Sequence, residues 1–204
     1  MAPSPYTGLT PVDWSAKTAE FVAAYPLTPS DMVDVTLYAW QIIFSSTIGA
    51  FRIGVEIFPK PQIMGFFLHE LIPLELARRF PGVWRADRTM AEKDLVHHPD
   101  PTFSAEIKTS SHPSRIFGNR SYAQAGTGNR RTKQKSGYYI AVNFEPFVFN
   151  PAGEPDTSKR PEILKIRFGW LDHSDWVGQQ AQTGQQSALS SAVENGKLAT
   201  IYQR

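Results

Sequence analysis

The spacing of apolar residues predicts helices over much of the first part of the chain. A loose arm rich in proline, serine and threonine covers residues 1–13, and a short helix follows over 13–25. A longer helix is expected over 28–47, beginning at a threonine that can cap it. Apolar positions return at helical spacing over 62–80, where Pro73 is expected to kink or interrupt the helix.

Alternating apolar and polar residues predict a β-hairpin over 92–110, with turn chemistry at 99–102. Successive side chains of a strand point to opposite faces. One set of positions therefore faces a core: Phe103, Ala105 and Ile107. Glu106 and Lys108 share the other face. If the loop is 99–101, Asp94 lies directly across from Glu106, with Cβ atoms about 4.5–5.5 Å apart.

Further strands are predicted in the second half of the chain. Residues 136–144 read as a buried strand, 162–171 as an alternating strand and 198–202 as a short last strand. Residues 51–58 fit a strand or an extended connector, and 176–195 are weakly helical. This order of elements predicts an α/β fold with a central mixed β-sheet flanked by helices.

Composition excludes several classes of protein. The absence of cysteine excludes disulfide frameworks, cysteine-ligated zinc and thiol nucleophiles. The uncharged run over 35–51 is too short and too polar for a membrane span and reads as a buried core helix. No signal peptide is evident at the start, so we expect an intracellular, cytoplasmic protein with no membrane association. The net charge of +2 is small, so any argument for nucleic-acid binding depends on local charge.

The predicted hairpin carries candidate chemistry. Two carboxylates as close as Asp94 and Glu106 repel each other unless a proton or a positive charge lies between them. Mg²⁺ fits, because it takes oxygen ligands from one or two carboxylates together with a substrate phosphate. Lys108 is placed to orient a water or to neutralise charge on a phosphate. An isolated Glu-x-Lys is usually a solvated strand face, and the hairpin context with Asp94 at matching parity favours a phosphodiester-cleaving site.

A helix acid would complete such a site. Glu70 is the preferred candidate, although an acid among apolar neighbours more often lies at the wet edge of its helix. Glu75 is the substitute, but Arg78 and Arg79 stand at the right distance along the helix for simple surface pairing with it.

A basic segment follows the hairpin. From residue 109 to 144 there are six Lys or Arg residues and no Asp or Glu, interleaved with asparagine, glutamine and glycine. Such charge runs are usually solvated loops. Arginine and lysine also suit guanine edges and phosphates, and asparagine and glutamine suit adenine. Its position directly after the hairpin favours a DNA-contacting role, since a phosphodiesterase must hold its polyanion there.

These residues resemble the PD-(D/E)xK nuclease superfamily: Asp94 begins one strand, Glu106-Ile107-Lys108 lies on the next, and the Glu70 helix precedes both. More narrowly, the chain resembles type II restriction endonucleases of the ScaI-like group. Four stretches carry this resemblance: 106–111, 116–124, 135–139, and 168–173 leading to 183–185. The resemblance covers residues 62–190 and implies a restriction-endonuclease-like core within a single catalytic domain, 1–204. Residues 1–60 would then be an N-terminal helical extension.

The resemblance implies roles for particular residues. Asp94, Glu106 and the Ile107 carbonyl are similar to the metal ligands, Lys108 to the motif lysine, and Glu70 to the helix acid that assists catalysis and metal binding. We expect contacts with DNA from Arg115, Asn119, Arg120, Ser121, Tyr122 and Gln124. We expect phosphate contacts from Arg130, Arg131, Lys133 and Lys135.

The implied activity is cleavage of double-stranded DNA at a short, palindromic site. The family pattern implies a homodimer that needs no other protein for cleavage, uses Mg²⁺ with Mn²⁺ as a substitute, and leaves 5′-phosphate ends. Two departures stand out. Lys93 replaces the proline before Asp94, and Pro99-Asp100 spells the motif dipeptide in a turn too near Glu106 to pair across a hairpin. We therefore assign the metal ligand to Asp94.

Two other functions remain open from the sequence. A repair nuclease or junction resolvase of the same fold would recognise DNA shape or a lesion. A DNA-binding module without catalysis is disfavoured by the joint presence of the Asp, Glu and Lys.

Overall fold

Helices and strands are defined by a computed structural model that describes residues 4–123, 134–178 and 186–204. The helices are α1 (Trp14–Ala24), α2 (Pro29–Ser45), α3 (Pro61–Arg79) and α4 (Ser191–Lys197). The first strands are β1 (Thr47–Ile48), β2 (Phe51–Arg52), β3 (Trp84–Ala86), β4 (Leu95–His97), β5 (Ala105–Ser110) and β6 (Phe117–Asn119). The later strands are β7 (Gly137–Phe144), β8 (Ile163–Leu171), β9 (Val177–Gly178), β10 (Gln186–Ala188) and β11 (Leu198–Gln203).

The central sheet of the described residues has six strands in the order β11-β8-β7-β5-β4-β3. Its strands pair antiparallel except β5 and β7, which run parallel from Ala105↔Tyr138 to Ser110↔Asn143. A smaller sheet joins β6, β10 and β9. The predicted α/β architecture with a mixed sheet flanked by helices is therefore confirmed.

The helices follow the local rules of the sequence. Thr28 caps α2 by accepting a hydrogen bond from the Asp31 N–H, as predicted. Pro73 was expected to kink or interrupt this helix, and it does not interrupt it, because α3 runs from Pro61 to Arg79. Pro73 removes one backbone donor, but it is buried together with Leu68, Ile72 and Leu76, and this packing holds the helix in one piece.

The two faces of the central sheet pack in different ways. On one face, Ala105 and Ile107 of β5 join a large core with the apolar residues of α2 and α3. On the other face, Tyr139 and Ala141 of β7 form a smaller core with residues of α4, β8 and β11. Glu106 is buried on this second side. The site is therefore covered by the smaller core and does not lie on an open sheet surface.

Strands also lie at positions where the sequence predicted none. The strand β3 was not foreseen, although it extends the sheet beyond β4. The helix expected over 176–195 is wrong over Val177–Gly178 and Gln186–Ala188, which are strands. Pairing of β10 with both β6 and β9 outweighs the weak helix preference there. In the described residues, no helix has the length and apolar character needed to cross a membrane.

Candidate active site

The hairpin of β4 and β5 sets the geometry of the site. Leu95 pairs with Ala105, so one step further along the ladder Asp94 stands opposite Glu106, as the sequence predicts. The Asp94 carboxylate is held at this position because its Oδ2 atom accepts a hydrogen bond of 2.8 Å from the Ile107 N–H. The Asp94 side chain therefore links the two strands just beyond the last backbone pair, Leu95 and Ala105.

Glu106 is fully buried and surrounded by positive and polar groups. Its Oε1 atom lies 3.4 Å from the Lys93 ammonium and its Oε2 atom 3.7 Å from the Lys108 ammonium. The Tyr122 hydroxyl donates to Oε2 at 3.2 Å. A buried carboxylate needs such counter-charges, because burial without them is costly. The predicted convergence of Glu106 and Lys108 on one face is confirmed.

Asp94 and Glu106 raise the pKa values of two buried tyrosines beside them. Burial raises the pKa of Tyr122 and Tyr139, and the negative charge of Glu106 raises both further. The charge of Asp94 adds to the increase in the pKa of each of these phenols. Both carboxylates therefore favour the protonated form of these two phenols, of which Tyr139 pairs with Glu106 across β5 and β7.

A cleft of about 460 Å³ opens on the helix side of the hairpin. Asp94 lines this cleft together with His69 and the exposed Glu70 of α3. The His69 Nδ1 atom lies 3.6 Å from Asp94 Oδ2. The helix can approach this closely because Gly65 faces Thr109, whose Oγ1 atom would lie 2.5 Å from a Cβ at that position.

Sequence reasoning missed two members of the site. His69 gave no signal, because it lies beside Glu70 on a helix whose packing could not be derived. Lys93 was visible as the residue that replaces the motif proline, and this replacement was the one available clue.

The residues present fit a hard divalent cation. Asp94 and Glu106 supply carboxylate oxygens, and the Ile107 N–H already points toward Asp94. Since the N–H and C=O of one strand residue point to the same side, the Ile107 carbonyl faces that side too. The described part of the chain contains no group of three or more His, Asp or Glu residues that could hold a metal. A site of two carboxylates completed by substrate phosphate and water is typical of Mg²⁺.

The acids outside the site have other partners. Asp100 caps a short 3₁₀ turn over Pro101–Phe103, where its Oδ1 atom accepts from the Thr102 N–H and hydroxyl. These bonds hold the pKa of Asp100 below its usual value. Glu75 pairs with Arg78 and Arg79 at 2.7 Å each, which confirms the predicted pairing. Its expected place at the surface is wrong, because the Glu75 side chain is buried.

Replacement of Asp100 separates the two possible motif aspartates. We expect Asp100→Ala to retain cleavage within about threefold of wild type, because the Asp100 carboxylate caps a turn outside the site through its bonds with Thr102. We expect Asp94→Asn to lose at least about a hundredfold. Single-turnover cleavage assays on both variants check this, and a comparable loss in both would contradict the assignment of Asp94.

A buried polar network fixes the start of the basic segment. The Asn143 amide donates to the carbonyl oxygens of His112 and Arg115, at 2.7 and 2.9 Å. The Arg167 guanidinium donates to the Ser114 carbonyl and to Asn143 Oδ1, at 2.6 and 3.1 Å. Glu194 accepts from the Ile116 N–H at 3.0 Å. The backbone that presents Arg115 is therefore anchored in the core of the protein.

The expected DNA-contacting residues fall into three groups. Four are exposed: Arg115, Asn119, Arg120 and Ser121. Lys135 is half-buried, 5.7 Å from the Tyr122 ring, and Tyr122 lies inside the site instead of on the surface. The remaining expected contacts lie outside the described residues: Gln124, Arg130, Arg131 and Lys133.

Comparison with known proteins identifies the family of this chain. Residues 4–202 match a family described as ScaI restriction endonuclease. The chain is also 48% identical over 200 residues to the type II restriction enzyme ScaI of Streptomyces caespitosus. That alignment covers 98% of this chain and 85% of the relative. No solved structure matches. The chain therefore belongs to the ScaI restriction endonuclease family, and it is a site-specific endonuclease of type II.

Proposed function

We propose that this endonuclease cuts both strands of a short palindromic duplex site in a Mg²⁺-dependent reaction and leaves 5′-phosphate ends. The convergence of Asp94, Glu106 and Lys108 at the hairpin carries this proposal, since it resembles the arrangement of PD-(D/E)xK nucleases. Water attacks phosphorus, the bond to the 3′ oxygen breaks, and the leaving oxygen takes up a proton. The whole chain, 1–204, would act as one catalytic domain inside the cell.

Each residue of the site has a distinct task in this proposal. Asp94, Glu106 and the Ile107 carbonyl would hold the cation, which supplies Lewis acidity that activates water and polarises the phosphate. Lys108 offsets negative charge that develops on the phosphate during attack. Tyr122 holds the Glu106 carboxylate in place, and His69 orients Asp94 from the cleft. Glu70 faces the cleft, where it would bind the hydration shell of the cation.

The basic segment supplies the grip on DNA. The exposed residues of the anchored stretch, Arg115 and Asn119 among them, would contact base edges, and Lys135 would contact a phosphate beside Tyr122. Cutting both strands at a palindrome requires two copies of the site related by a two-fold axis, so we propose that the enzyme acts as a homodimer.

Plasmid digestion tests the proposed reaction. We expect discrete fragments with Mg²⁺ or Mn²⁺ and no cutting when a chelator removes both ions. Sequencing of fragment ends should show one repeated palindrome and 5′-phosphates. Glu106→Gln serves as the inactive control. Cleavage in the presence of chelator, or ends without a common sequence, would contradict the proposal, and the second result would favour a shape-reading nuclease.

A further inference from the structure

Two lysines hold the buried Glu106 carboxylate, one on each oxygen. Lys108 belongs to the Glu-x-Lys motif, whereas Lys93 comes from the residue before Asp94. The side chains of Lys93 and Lys108 are only 12% and 14% exposed. The chain bends at Asp94, so two consecutive residues can both face β5. The site therefore contains a second ammonium that the motif does not account for.

The Lys93 ammonium occupies a defined position. It donates a 2.5 Å hydrogen bond to the Gln134 carbonyl and lies 5.4 Å from the centre of the Tyr139 ring. Gly137 leaves room for it, because a Cβ there would stand 3.2 Å from the Cε and Nζ atoms of Lys93. The lysine thus lies between Glu106 and the backbone that leads into β7.

We propose that Lys93 is an internal counter-ion, which in the DNA-free enzyme takes the place of the divalent cation on Glu106. The inference rests on the proposed role of Glu106 as a metal ligand. The Lys93 ammonium and a divalent cation cannot both occupy the position beside Glu106 Oε1. A cation that binds there has to displace Lys93. An ammonium has three donors, and Lys93 keeps the Gln134 carbonyl when it leaves the carboxylate.

This exchange links the cation to the substrate. A DNA phosphate brings negative charge to the site, attracts the displaced ammonium and favours entry of the cation. By thermodynamic linkage, DNA and cation then strengthen each other's binding. Lys93 therefore lowers the affinity for the cation in the absence of DNA, and it holds the Glu106 carboxylate when no cation is bound.

Calorimetric titration of Mn²⁺ into the full-length, DNA-free protein tests the proposal. We expect Lys93→Gln to bind Mn²⁺ about tenfold more tightly than wild type, because a competing positive charge is gone. Lys93→Arg, which keeps the charge, should bind close to the wild-type value. Lys159→Gln is the matched control, since Lys159 pairs at 2.7 Å with Glu145 away from the site, and its affinity should not change.

Unchanged or weaker Mn²⁺ binding by Lys93→Gln would overturn the counter-ion role. Thermal unfolding checks that each variant is folded, and Lys93→Met gives the same test with the aliphatic stem kept. A Glu106→Gln variant separates the two claims. If Glu106→Gln binds Mn²⁺ as wild type does, the proposed metal site itself is wrong. If Glu106→Gln loses Mn²⁺ binding while Lys93→Gln and Lys93→Met bind Mn²⁺ as wild type does, the counter-ion inference alone fails.

Discussion

Replacement of Lys108 with alanine should lower the rate of DNA cleavage by at least about a hundredfold, and binding of DNA should remain largely intact. The ammonium lies 3.7 Å from Glu106 and 4.5 Å from the centre of the Tyr122 ring, in a partly buried position where charge acts strongly. Loss of one such group that acts on the developing charge typically costs 10²–10³ in rate, as an order of magnitude. Single-turnover cleavage and fluorescence anisotropy measure the two properties separately.

Lys135→Ala is the matched control for this experiment. Lys135 lies near the same Tyr122 ring, at 5.7 Å, but we assign it to a phosphate contact. We expect Lys135→Ala to raise KM and to leave kcat within about threefold of wild type. The slope of log binding constant against log salt concentration should fall by about one. A Lys108→Ala enzyme that cuts at the wild-type rate would remove Lys108 from the mechanism.

The largest loss of stability is expected from Lys197→Met, at about 3–5 kcal/mol of unfolding free energy. The Lys197 ammonium is buried and lies 2.8–2.9 Å from carboxylate oxygens of Asp172 and Asp175. Removing it leaves two buried carboxylates without that partner. Urea unfolding of the variant and of wild type gives the difference directly.

Lower pH should reduce the loss of unfolding free energy that Lys197→Met causes. Burial raises the pKa of Asp175 above its usual value, and Lys197 lowers it. Without the lysine, the folded state takes up a proton at Asp175 more readily than the unfolded state does. The stability of Lys197→Met should therefore rise relative to wild type as the pH falls through that raised pKa. A loss independent of pH would contradict this explanation.

An exposed ion pair provides the comparison for Lys197. Lys17 pairs with Glu20 at 2.6 Å on α1, and the glutamate side chain is 65% exposed. We expect Lys17→Met to cost about 0–1 kcal/mol, because water screens such pairs. Equal losses of unfolding free energy in Lys197→Met and Lys17→Met would show that burial of the ion pair does not cause the large effect expected at Lys197.

Local rules of the sequence account for the hairpin and its faces. Alternation placed Ala105 and Ile107 in the core and Glu106 and Lys108 opposite, and the predicted register of Leu95 with Ala105 is confirmed. The expected three-residue loop 99–101 is wrong, because β4 ends at His97 and β5 begins at Ala105. Phe103 packs against the core as expected, although it belongs to a 3₁₀ turn. These features depend on neighbours a few residues apart, and a single sequence carries that information.

Other members of the site come together through tertiary structure. Lys93 reaches Glu106 because the chain bends at Asp94, and His69 reaches Asp94 because α3 packs closely on β5. Tyr122 arrives from a segment that was expected to lie at the surface. None of these contacts has a fixed spacing along the sequence, so periodicity could not reveal them.

The parallel pairing of β5 with β7 constrains how this enzyme could acquire a new DNA specificity. The chain that leaves β5 must return along the six-residue strand, a distance of about 20 Å, before β7 can begin. Roughly a dozen residues suffice for such a return. Residues 111–136, which include the proposed DNA contacts, exceed that minimum about twofold. We therefore expect exchanges at the exposed positions Asn119 and Arg120 to change DNA recognition while β5 and β7 keep their register.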